Sequence, residues 1–177
     1  MNFAFFDSLS RSEAEDYLSR FLLEASEGLT ETADAARSDG LMIDYSLGSL
    51  GTFAMWVLPR LQTTPRAPNL SLPDWIRQTK EYTDGLFDFT ESSRILVLRT
   101  AFYFGETFVR TFPHLRWGTG DEDSALRHMP VIRNFNRSLE LAPLLVVENL
   151  FTRVIAEPSQ RHSFADAIQH WIVHAEV

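Results

Sequence analysis

Between Ile95 and Phe112 the chain is apolar around much of a helical circumference. Ile95, Leu98, Phe102, Gly105, Val109 and Phe112 recur at helical spacing, and Val97, Ala101, Phe104 and Phe108 widen the stripe. A helix with so broad an apolar surface cannot lie flat on a domain; it must be central and contacted from several sides. Two residues inside it are costly. Gly105 gives up about 0.5–1 kcal/mol of helix stability relative to alanine, which is tolerated where a neighbour needs close approach. Glu106 on a partly buried face needs a donor, and the candidates are the Trp117 indole, a backbone N–H or an arginine. Arg110 stands four residues on, in the favourable order for an intrahelical pair. The segment Tyr103-Phe104-Gly105-Glu106, with Arg110 and Trp117, therefore reads as a structural motif rather than as a catalytic acid, since no second acid or base stands at a recognisable spacing.

Helices are predicted on both sides of this one. Ser10 and Glu13 have capping-box spacing, and Tyr17, Leu18, Phe21, Leu22, Ala25 and Leu29 follow with helical periodicity, so a long helix should run to about Arg37. Asp44-Tyr45-Ser46 introduces a second helix carrying Leu47, Leu50, Phe53, Ala54, Val57 and Leu61. Pro65 and Pro68 mark a loop between Gln62 and Leu72, with a short helix following through Trp75 and Ile76. Thr90 or Ser92 should cap the central helix and Pro113 should stop it. Leu115 to Gly118, Met129 to Phe135 and Leu139 to Leu141 read as strands. Pro143 opens another helix, and Ser163 with Asp166 should cap the last one. The expected fold is α+β and predominantly α-helical, with a small antiparallel sheet inserted after the central helix. At 177 residues it should be a single domain, 1–177.

Composition removes several function classes. A net charge of -8 opposes the basic surface on which nucleic-acid affinity depends. Without cysteine there are no disulfides, thiolate nucleophiles or cysteine-ligated metals. No run approaches a membrane span, the N-terminus lacks the basic start of a secretory signal, and a cytoplasmic protein is expected. No serine sits in a nucleophile elbow, and Gly118-Thr119-Gly120 leads into acids that would repel a phosphate. No cofactor is expected.

Two constellations remain. Asp166, His170 and His174 follow one another at four-residue intervals, so the three side chains could converge on a metal ion. Against this, Asp166 has a capping role open to it, His174 favours the helix dipole, and the glutamate of an HExxH motif is missing. The second constellation is the acidic turn Asp121, Glu122 and Asp123, a candidate contact for a basic partner, with Trp75 as a candidate aromatic anchor. Calcium is a poorer reading of that turn, because the spacing of an EF-hand loop is missing.

The series Asp44-Tyr45-Ser46-Leu47-Gly48-Ser49-Leu50, Tyr103-Phe104-Gly105-Glu106, Trp117, Met129-Pro130-Val131-Ile132 and Pro143 resembles a group of small bacterial proteins found in or near toxin–immunity systems. Members share the aspartate-tyrosine-serine helix start, the tyrosine-x-glycine-glutamate central helix and the strand tryptophan. The chain departs from that pattern at Gly48 and in the Phe112-Pro113-His114 break. The resemblance implies an immunity protein that binds and neutralises a cognate toxin domain, as monomer or homodimer, without catalysis of its own. The alternatives are a metal-dependent protein using the last-helix Asp/His stripe and a structural homo-oligomeric subunit.

Overall fold

The computed structural model describes residues 4–66, 87–136 and 139–176. Within them the fold is predominantly helical, with two small antiparallel sheets of two strands each. The helices are α1 (Ala4–Asp7), α2 (Arg11–Ser38), α3 (Leu47–Val57), α4 (Glu91–Thr111), α5 (Pro143–Ala156) and α6 (Ser163–Ala175). Strands β1 (Thr63–Pro65) and β2 (Phe87–Phe89) pair before α4, and β3 (Arg116–Thr119) and β4 (Pro130–Arg133) pair after it.

Local chemistry sets most helix ends. The Ser10 amide donates to Glu13 Oε2 at 2.7 Å and the Glu13 amide to Ser10 Oγ at 3.3 Å, a complete capping box for α2. Ser46 caps α3 by accepting from the Ser49 amide, Thr90 caps α4 by accepting from the Ser93 amide, and Pro143 occupies the first turn of α5. The last helix departs from expectation. Ser163 lies inside α6 rather than at its cap, His162 holds the cap position, and no side chain bonds the free amides there. Pro59 ends α3 at Val57 by tightening the chain into a 3-10 turn, Leu58–Arg60, short of the predicted Leu61.

Helix α4 is the centre, packed against α2, α3 and α5. From Thr100 to Phe108 only Glu106 escapes full burial. The deepest line is not the one beginning at Ile95, which is exposed, but the one through Val97, Ala101, Phe104 and Phe108. One apolar cluster runs from Phe21 of α2 through α3, α4 and α5 to Phe164, Ile168 and Ala175 of α6. A smaller one joins Phe6, Met129, Val131 and Ala142.

The sheet after α4 pairs Trp117 with Ile132 and Gly118 with Val131. The third expected strand is reduced to a single bridge between Leu141 and Ile132. The β1–β2 ladder replaces part of what reads as loop in the sequence. The short helix expected around Trp75 lies outside the described residues.

Candidate functional site

The residues singled out by sequence fall into three places. The first is a polar knot around α4. The Trp117 indole, carried on β3, lies over Gly105, where an added Cβ would stand 2.4 Å from its Cζ2 and Cη2 atoms and 2.9 Å from Pro143 Cγ. Trp117 is stacked on Phe102 and meets Phe21 edge-on, which fixes the indole plane. Its Nε1 donates to Glu106 Oε2 at 3.2 Å, while Arg110 Nε donates to Glu106 Oε1 at 2.8 Å. Both oxygens of that carboxylate are thus occupied by two of the donors expected for it. The Arg110 guanidinium in turn lies 3.7 Å from the centre of the Tyr45 ring.

Tyr45 adopts φ 58, an uncommon left-handed conformation, and its amide donates to the buried Tyr103 hydroxyl at 3.0 Å. That hydroxyl also shares a hydrogen bond with Ser49 Oγ. Burial raises the Tyr45 phenol above its ordinary range, so it stays protonated beside the cation. At the surface, Asp44 accepts from the Ser46 amide at 2.9 Å, and hydrogen bonds from the Ser46 hydroxyl and amide hold its carboxyl below the usual range. Asp44, Tyr45, Ser46, Ser49, Tyr103, Gly105, Glu106, Arg110, Trp117 and Pro143 therefore form one connected structure. It welds the start of α3, the middle of α4, β3 and the start of α5. Both Glu106 oxygens and the Tyr103 hydroxyl are engaged within it.

The second place is the β3–β4 turn. Gly120 closes it, because the backbone carbonyl of Leu126 would stand 1.8 Å from a Cβ there. Asp121 accepts from Arg133 Nη2 at 2.5 Å, and Arg133 also faces Glu140 at 3.2 Å in an ion pair without hydrogen-bond alignment. Glu122 and Asp123 are exposed and have no ion pair or hydrogen bond among the described residues. Beneath them His128 adopts φ 60 at 2% exposure, and neither ring nitrogen has a hydrogen-bond partner among the described residues. A left-handed non-glycine residue costs about 1–3 kcal/mol, a strain that the surrounding packing must hold. His128, Arg11, Asp121, Glu122 and Arg133 line a cleft of about 60 Å³, room for roughly two waters or the tip of a side chain. Sequence reading found the acids but missed His128, Arg133 and Glu140. His128 gave no signal, because histidine is not a residue that marks a turn.

The third place is α6. Asp166 does not join His170 and His174; its Oδ2 faces His162 Nε2 at 3.7 Å, one helical turn toward the N-terminus. The presence of His162 at i−4 was the available signal. The rings of His170 and His174 stand 4.7 Å apart, centre to centre. Among the described residues no group of three histidine, aspartate or glutamate side chains is arranged to hold a metal ion, so the three-ligand arrangement read from the stripe does not form. Trp75 lies outside the described residues. No described helix is long and apolar enough to cross a membrane. Compared with protein-family models, curated proteins and solved structures, the chain matches none.

Proposed function

We propose that this chain is a non-enzymatic protein-binding domain, an immunity protein that neutralises a bacterial toxin by covering a basic surface of it. The observation that carries this reading is the β3–β4 turn. Glu122 and Asp123, exposed and without an ion pair among the described residues, present two carboxylates on a turn braced by the Arg133 ion pairs and by the closed backbone at Gly120. Carboxylates held in this way are preorganised for a cationic partner, and they belong to a chain whose net charge is -8. The motif around Glu106 supports the same reading by consuming its own polar groups in architecture. Inhibition by occlusion needs an interface of roughly 800 Å² per partner and a few anchors, but no reactive group.

The test is to purify the protein encoded beside this one and measure association by surface plasmon resonance at low and physiological salt. The reading expects binding whose on-rate falls with salt and falls further in the double variant Glu122→Lys with Asp123→Lys. Both residues are exposed and have no ion pair among the described residues, so the variant should fold normally. Absence of binding, or binding indifferent to salt and to this charge reversal, overturns the role given to the turn.

A further inference from the structure

We propose that His170 and His174 form a two-point site for a divalent transition-metal ion of the zinc, nickel and copper type on the outer side of α6. The two residues are one turn apart, so their side chains project from the same side of the helix, and their ring centres stand 4.7 Å apart at an interplanar angle of 71°. Two imidazoles bound to one ion at about 2.0–2.1 Å place their ligating nitrogens about 3 Å apart, a separation that rings this close reach by side-chain rotation alone. His170 is exposed and His174 half-buried, and neither ring nitrogen is committed to a hydrogen bond among the described residues. Each can therefore turn a lone pair outward. Trp171 flanks the pair, with ring centres 5.5 Å from His170 and 6.4 Å from His174, and so limits the space the two rings can sweep on that side.

The ligand chemistry selects the class of ion. Two neutral imidazoles with no carboxylate suit borderline metals rather than calcium or magnesium, which demand oxygen. Asp166 faces His162 at 3.7 Å, and among the described residues no third histidine, aspartate or glutamate completes the set, so the ion keeps its remaining positions open to water or to a ligand from elsewhere. Such an open site differs from the closed four-ligand sites that hold structural zinc. It is independent of the acidic turn on which the toxin-binding reading rests.

The test uses the full chain without any affinity tag, titrated separately with Zn²⁺, Cu²⁺ and Mg²⁺ by calorimetry. Proton and carbon spectra of the histidine rings are followed in parallel. One Zn²⁺ per chain should bind saturably, Cu²⁺ more tightly, and Mg²⁺ not at all, with the largest perturbations on the His170 and His174 rings. Saturable binding should disappear in His170→Gln and again in His174→Gln, and should persist in His162→Gln. Circular dichroism verifies that each variant keeps its helices. Lack of saturable Zn²⁺ or Cu²⁺ binding by the parent chain overturns the proposal. So does binding that survives in either the His170 or the His174 variant, or that is lost in the His162 variant.

Discussion

The Trp117 indole lies across Gly105 so closely that a single added methyl group at residue 105 would overlap two of its ring carbons, at 2.4 Å. Gly105→Ala therefore sets two effects against each other. Helix propensity favours alanine by about 0.5–1 kcal/mol, but forcing a methyl into a filled space costs about 1–3 kcal/mol. The second effect wins because the indole is braced by both Phe102 and Phe21. The variant should unfold at lower urea than the parent, with an unchanged denaturant slope. In a Trp117→Leu background the same substitution should cost less, since of the three close contacts only the one with Pro143 Cγ at 2.9 Å then remains.

Glu106 holds two donors, and they are not equivalent. Its pair with Arg110, which is 53% exposed, resembles an ordinary surface i, i+4 pair worth about 0.2–0.5 kcal/mol. Its bond to the Trp117 indole is partly buried, and a hydrogen bond to a charged group contributes about 1.5–3 kcal/mol. Arg110→Ala should consequently cost much less than Glu106→Ala, apart from any stacking lost on Tyr45. Glu106→Gln, which keeps an acceptor for the indole, should fall between them. Chemical denaturation of the three variants ranks the two interactions.

Removing one oxygen by Tyr103→Phe leaves the Tyr45 amide without its acceptor, in a residue already held at φ 58. A buried donor left unpaired costs about 1–3 kcal/mol, and the ring itself still fills its space. The expected result is a lower melting temperature with helix content preserved. Hydrogen exchange at the Tyr45 amide should rise more than exchange in the middle of α4.

Glu13 makes part of the stability of α2 dependent on pH. Hydrogen bonds from the Ser10 hydroxyl and then the Ser10 amide lower its pKa from the ordinary 4.5. A carboxylate whose folded pKa is depressed contributes stability that is present above 4.5 and is lost as pH falls through the lower folded value. Asp44 acts in the same direction from an ordinary value of 3.8. Glu13→Gln should therefore be less stable than the parent at neutral pH and converge with it in strong acid. A melting series across that acid range measures the convergence. Parallel curves at every pH would show that Glu13 does not contribute through its charge.

The parts of the fold that a reader could take from the chain are those where a nearby residue reveals a cost or a partner. A glycine and an acid in an apolar helix called for a close neighbour and a donor, and Trp117 supplies both. Ser10 with Glu13, and Pro143 at a helix start, act within one turn and are visible for that reason. Pairings across longer separations were hidden. Thr63 pairs with Phe89, and every residue of β1 is exposed, so no alternation marks it as a strand. Asp166 could serve as a cap, as a ligand or as the partner of His162, and only geometry chooses the last. The acidic turn shows its charge in the sequence. Its bracing does not, because Arg133 and Glu140 reach it only once β4 and the Leu141 bridge have formed.

Pro65 lies opposite Phe87, and Arg66 is tied to Asp88 by an ion pair, so the described chain departs and returns at adjacent points on the rim of the fold. The ladder and the ion pair therefore hold Arg66 and Phe87 side by side, whatever the length of chain that joins them. Losing that one ion pair, as in Arg66→Ala, should loosen both strand ends together, because each is the other's edge.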